Sequence, residues 1–169
     1  MKTKFRNRAL ILLGLLIVLI AFAFWYKVSY SMELAQNQGI NSPNSITKIL
    51  IATQGSEFKN AVVANIIDNY KNDSIHLKTI DVSQLPQMNA NIYNAIVVLH
   101  TWEYGHPPQS VIEFVTKNKE FEHKMIVYST SGAGDNKIEG IDALSGESIL
   151  ENVTVTSDNI IARIENLLK

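Results

Sequence analysis

The chain has 169 residues, 46% of them apolar and 18% charged, with no Cys and a formal net charge of -1, a size that suggests one domain plus a tail. The absence of Cys excludes a disulfide scaffold, a thiol redox pair, thiolate-bound zinc and cysteine-ligated iron–sulfur clusters. From residue 46 onward ten Lys and Arg stand against fifteen Asp and Glu, a net charge of -5 that argues against nucleic acid as a partner.

Residues 9–26 (ALILLGLLIVLIAFAFWY) carry no charge and follow Lys2, Lys4, Arg6 and Arg8. Eighteen residues of helix rise about 27 Å, close to the roughly 30 Å hydrocarbon core of a bilayer, so this segment is predicted to be a transmembrane anchor. Trp25 and Tyr26 at its far end suit the membrane interface, and Lys27 follows as a charged stop. Four cations before the run against one after it predict a cytoplasmic N-terminus and an extracytoplasmic domain. A cleaved signal peptide is the competing reading, because Ala21-Phe22-Ala23 has the small-x-small form of a cleavage site. The apolar run outlasts a usual signal core and continues through that point, which favours the anchor. The expected organisation is a basic tail over residues 1–8, the anchor over 9–26, a linker over 27–45 and a folded domain over 46–169. The linker is read from its polar composition, Gly39, Pro43 and the lack of sustained periodicity.

Residues 49–52, 95–99 and 125–128 are wholly apolar runs, the pattern of strands buried on both faces of a parallel sheet. Residues 75–82 alternate in a way that fits an edge strand. Between the runs, Phe58, Val62, Val63, Ile66, Ile67 and Tyr70 recur at helical spacing, with Lys59, Asn60, Asn65 and Asp68 assigned to the outer side. Residues 108–117 read as a helix with Val111, Phe114 and Val115 inward. Residues 153–156 read as a last short strand, after which Ser157 and Asp158 cap a helix that uses Ile160, Ile161, Ile164, Leu167 and Leu168. Strands alternating with helices predict an α/β doubly wound domain with a parallel sheet of about five strands. Residues 130–150 contain four glycines and little helical pattern where a further helix is expected, and long loops of this kind are often functional.

Three strand-ending loops, Thr53-Gln54-Gly55-Ser56, His100-Thr101-Trp102-Glu103-Tyr104-Gly105-His106 and Ser129-Thr130-Ser131-Gly132-Ala133-Gly134-Asp135, resemble those with which flavodoxins hold FMN. The resemblance covers residues 46–169 and implies a flavodoxin-like fold. It also implies cofactor-binding roles for Thr53, Gln54, Gly55 and Ser56 at the phosphate, for Thr101, Trp102, Tyr104 and Gly105 beside the ring, and for Thr130, Ser131, Gly132 and Gly134 at the flavin edge. Aligned on Gly55, the chain has Ala52, Gln54 and Glu57 where the family places three hydroxyls, and a carboxylate there repels a phosphate. On the residues alone, Ser56 caps a helix and Glu57 complements its dipole. Residues 142–148, from Asp142 to Ser148, are similar to the motif whose last hydroxyl takes FMN through a phosphoester, with Glu147 and Ser148 departing from it; a turn with Ser148 capping a short helix is the plain reading.

The resemblance implies a membrane-anchored, extracytoplasmic FMN protein that passes electrons to a redox protein partner. The departures in the first loop leave open a second reading, a flavodoxin-fold binding or assembly module that has lost the flavin. His100, Glu103 and His106 lack an evident fourth metal ligand. No nucleophile-elbow or phosphate-binding Gly-Lys-Ser/Thr motif occurs, which disfavours hydrolase and nucleoside-triphosphatase chemistry.

Overall fold

The computed structural model describes residues 2–30, 32–103, 105–138, 140–141 and 143–169. It divides into two compact units, Met1–Met32 and Glu33–Lys169. In the first, helix α1 (Lys2–Tyr30) contains the stretch Arg6–Tyr26, whose mean hydropathy is 2.7 and none of whose described side chains is buried. Twenty-one residues rise about 31 Å, so this helix is long and apolar enough to cross a membrane. Its apolar residues run all round the axis instead of forming one stripe, as suits an apolar surrounding on every side.

The second unit is built on a mostly parallel six-stranded sheet. Its strands are β1 (Gln38–Ile40), β2 (Thr47–Thr53), β3 (Ile75–Asp81), β4 (Ala95–Thr101), β5 (Met125–Thr130) and β6 (Ala143–Gly146), in the order β1-β3-β2-β4-β5-β6. Only β1 is antiparallel, to β3. The apolar runs follow from burial on both faces. Ile49 and Ile51 of β2 and Val97 and Leu99 of β4 meet α2 (Glu57–Tyr70) and α4 (Val153–Leu167), while Leu50, Ile96 and Val98 meet α3 (Gln109–Lys117) and the 3₁₀ turn Val82–Gln87. A nine-residue helix is too short to hold itself in water, so α3 depends on burying Val111 and Phe114.

Several expectations are corrected. Part of the stretch read as linker belongs to the sheet: Gln38, Gly39 and Ile40 pair with Thr79, Lys78 and Leu77. Asn41 secures this strand from a left-handed φ of 64°, its amide donating to Tyr70 O at 3.1 Å and Ile75 O at 2.8 Å. With β1 outside it, β3 is not an edge strand; its polar alternation reflects half-buried His76 and Lys78 under a three-residue cover. Residues 153–156 are the first turn of α4, not a strand. Their β-branched side chains suggest extension, but Val153, Thr156, Ser157, Ile160 and Ile164 form one buried helical stripe, and tertiary packing overrides propensity. Ser157 is therefore no cap: inside the helix, its hydroxyl lies 2.9 Å from the carbonyls of both Val153 and Thr154. The fifth parallel strand is β6, drawn from the glycine-containing segment. Ser148 caps nothing either, since the turn Leu150–Asn152 begins at Ile149 without a side-chain cap.

Candidate functional site at the ends of β2 and β4

The helix after β2 packs on one face of the sheet and the helix after β4 on the other, so the two connections diverge at the C-terminal ends of these neighbouring strands. Ligands of open α/β sheets bind in such crevices. Thr53, Gln54, Gly55, Ser56 and Thr101 all come together here.

The chain closes this crevice on itself. Gln54 reaches across it: its amide oxygen accepts from Thr101 N at 2.6 Å, its amide nitrogen donates to Glu103 Oε1 at 3.0 Å, and its backbone N–H donates to Leu99 O at 3.2 Å. Gly55 donates its N–H to Glu33 O at 2.7 Å, and a Cβ at Gly55 would stand 2.6 Å from that oxygen. Glycine is required by this close approach of the segment entering from residue 33. Ser56 caps α2 as expected, its Oγ accepting from Lys59 N at 3.2 Å. Glu57 is exposed in the first turn, where it complements the helix dipole.

Lys59 is fully buried, against its assignment to the outer side of the helix. Its ammonium donates to Thr101 Oγ1 at 2.7 Å and to Ser56 Oγ at 3.4 Å. Register places Thr101 opposite Thr130, with hydroxyls 3.1 Å apart. Thr130 Oγ1 donates to His100 O at 3.3 Å, so it accepts from Thr101, which accepts from Lys59: three groups form one directed chain. Burial lowers the Lys59 pKa from 10.5 to about 8, opposed by the nearby Glu103 carboxylate.

The same register puts His100 opposite Ser129 on the other face of the sheet, and both are fully buried. His100 Nδ1 lies 3.3 Å from Thr101 O, a carbonyl that can only accept, so Nδ1 carries the proton and Nε2 accepts from the Ser129 hydroxyl at 2.9 Å. Burial lowers the His100 pKa to about 4, which keeps the ring neutral near pH 7. Trp102 is half-buried with its ring centroid 6.4 Å from that of His100, and its backbone N–H donates to Thr130 O at 2.7 Å.

The remaining residues implied by the resemblance do not join the crevice network. Gly105 is exposed in a tight turn closed by paired backbone bonds between Glu103 and His106. Ser131 N donates to Gly146 O at 3.2 Å and Gly134 N to Ser131 O at 3.2 Å, which tie that loop to β6 and to itself; Gly132 has open space around it. Tyr104 and Asp142 lie outside the described residues. Among the described residues no group of three or more His, Asp or Glu is arranged to hold a metal.

Sequence reasoning missed Lys59, Glu33 and the His100–Ser129 pair. A signal for Lys59 existed, because it stands three, four and seven residues before Val62, Val63 and Ile66 on the buried stripe of α2. No protein-family model matches the chain, and no curated protein proves similar to it.

Proposed function

We propose that this chain is a flavodoxin-like module tethered by α1 to the outer face of a membrane, its N-terminus in the cytoplasm, and that it serves as a binding or assembly module without flavin. The fold reading is supported by the five parallel strands, which lie in the order 2-1-3-4-5 when counted along the chain, the flavodoxin-like arrangement. The orientation is supported by the four cations ahead of the apolar run. A reporter fused after Lys169 should be active outside the cytoplasm only; activity inside overturns the topology.

One observation carries the choice of module over electron carrier. In the flavodoxin manner, a phosphate is held by backbone N–H groups of the first loop at a helix N-terminus. Here the Gly55 N–H is engaged by Glu33 O at 2.7 Å, and that carbonyl occupies the space in front of the loop. Exposed Glu57 adds a like charge to any incoming phosphate. The competing flavin reading is supported by half-buried Trp102 and by the open surroundings of Gly132, positions suited to a ring. Titrating FMN into the full chain in nanodiscs separates the two. Flavin fluorescence should stay unchanged; saturable quenching that weakens in Trp102→Ala would establish the flavin reading instead.

A further inference from the structure

The segment that leads into β1 lies across the C-terminal ends of β2 and β3, held by its backbone. Glu33 O accepts from Gly55 N at 2.7 Å, in an isolated antiparallel bridge between these residues, and Ala35 N donates to Asp81 Oδ2 at 2.9 Å. Both bonds use main-chain groups of the segment, so its side chains matter little to them. Glu33, Leu34 and Gln36 are in fact exposed, Leu34 by 77%, and a recess of about 340 Å³ remains between the segment and α2. Residues 34–37 form neither helix nor strand. The next stretch is secured differently, by the pairing of Gln38, Gly39 and Ile40 with β3 and by the two bonds of the Asn41 amide. Residues 33–36 can therefore lift while β1 stays paired, since a stretch with few buried contacts opens at low cost.

The seat beneath them is fixed from the other side. Asp81 is 5% exposed, and its Oδ1 accepts from Ser83 N at 2.9 Å and Ser83 Oγ at 2.6 Å, which leaves Oδ2 turned toward Ala35. At Gly55 a Cβ would stand 2.6 Å from Glu33 O, so only glycine lets a backbone come this close. Lifting residues 33–36 strips a carboxylate oxygen and a loop N–H of their partners. A second extended chain, with a carbonyl and an N–H at the same spacing, restores both bonds, which is how strand addition recognises a peptide.

We infer that residues 33–36 are a strap seated in the docking site of an extended segment from another protein, which binds by displacing the strap and placing its carbonyl on Gly55 N–H and its N–H on Asp81. The inference rests on the binding-module reading above and names the class of partner. The strap is then an autoinhibitory contact, because a ligand's apparent affinity falls with the fraction of molecules whose seat is open.

The probe is the strap's own sequence, a capped hexapeptide of residues 32–37 (MELAQN). Ala35→Pro removes the strap's donor to Asp81 while the peptide keeps its own. With the full chain in nanodiscs, the peptide should bind Ala35→Pro at least about tenfold more tightly than wild type, the scale of one hydrogen bond to a charged group, read as saturable NMR shifts at the Gly55 and Ser83 amides. N-methylating the peptide at its alanine should cancel the gain, and adding Gly55→Ala should abolish binding. Ala35→Gly loosens the strap without deleting the donor and should give a gain of about threefold, which keeps the test valid where proline disturbs folding. Equal affinity in wild type and both Ala35 variants overturns the inference, as does binding that survives N-methylation or Gly55→Ala. Flavin quenching in the FMN titration overturns the underlying module reading, whereas failure of the peptide without quenching overturns this inference alone.

Discussion

The junction of β2 and β4 and the loop after β5 both follow C-terminal strand ends of one sheet, both are rich in Ser, Thr and Gly, and they differ in where their polar groups bond. At the junction, Gln54, Gly55, Lys59, Thr101 and Thr130 all bond within the chain. After β5, the Ser131 and Gly134 N–H groups also bond within the chain, but Ser131 Oγ is buried with no partner among the described residues, and Gly132 faces open space. The contrast comes from two residues outside the loops themselves. Glu33 arrives from the segment before β1 and Lys59 from inside α2. A loop's composition therefore does not reveal whether its donors remain available to a ligand; the groups delivered from elsewhere decide it.

The sharpest way to break the contrast is through Lys59. Its folded-state pKa of about 8 lies below the ordinary 10.5 because burial disfavours the charged form. Between those values the unfolded chain holds more protons than the folded one, so stability should rise as pH climbs from about 8 to 10.5. At about 1.4 kcal/mol per unit the rise is at most about 3 kcal/mol. Lys59→Met removes the titration and should flatten that increment in denaturant midpoints taken across the window. Parallel profiles for the two proteins would mean that the ammonium escapes to solvent, and the closed junction would lose its central group.

Gly55→Ala attacks the same region from the backbone side. Its Cβ would lie 2.6 Å from Glu33 O and 2.9 Å from Glu33 C, atoms that cannot rotate away as a side chain does. Either the covering segment lifts or α2 shifts, at a cost of about 2 kcal/mol, typical of overpacking. The denaturation midpoint should fall, and proteases should cut residues 33–40 faster. Unchanged midpoint and cleavage would show that the segment does not press on the loop, which would also remove the main argument against a phosphate there.

Much of the sheet was legible because burial on both faces writes itself as continuous apolar runs, and α2 and α3 because their buried stripes repeat at helical spacing. What stayed hidden had physical causes. β1 spans only three residues, Gln38, Gly39 and Ile40, too few to show a period of two, and it is held by pairing to β3 more than by its own pattern. The turn of α4 at residues 153–156 is β-branched, so propensity pointed one way and packing the other. At the site, Ser56 was readable as a cap because a cap is a local device. Lys59 was not, because its charge outweighed its position on the stripe, and the amine is tolerated inside through the hydroxyls of Thr101 and Ser56, 42 and 3 residues away in sequence. The closure of Gly55 was beyond reading for a similar reason: Glu33 contributes only its backbone carbonyl, an atom every residue has.

Gly132→Ala gives the smallest effect and sharpens the comparison most directly, since it repeats the Gly55 substitution in the open region. Apart from its chain neighbours, no heavy atom of the described residues lies within 4 Å of the position a Cβ would take, and Gly132 is not among the glycines with positive φ, unlike Gly134 at 70° in the same loop. The new methyl therefore meets neither a steric nor a backbone penalty. Replacing Gly also removes conformational freedom from the unfolded chain, which by itself stabilises by about 0.4–1 kcal/mol at compatible sites. The exposed loop gains little packing in return, so the midpoint should stay level or rise slightly, by no more than about 0.5 kcal/mol. A loss as large as that of Gly55→Ala would mean that this loop is packed as tightly as the junction, and the distinction between a closed and an open region of the edge would not survive.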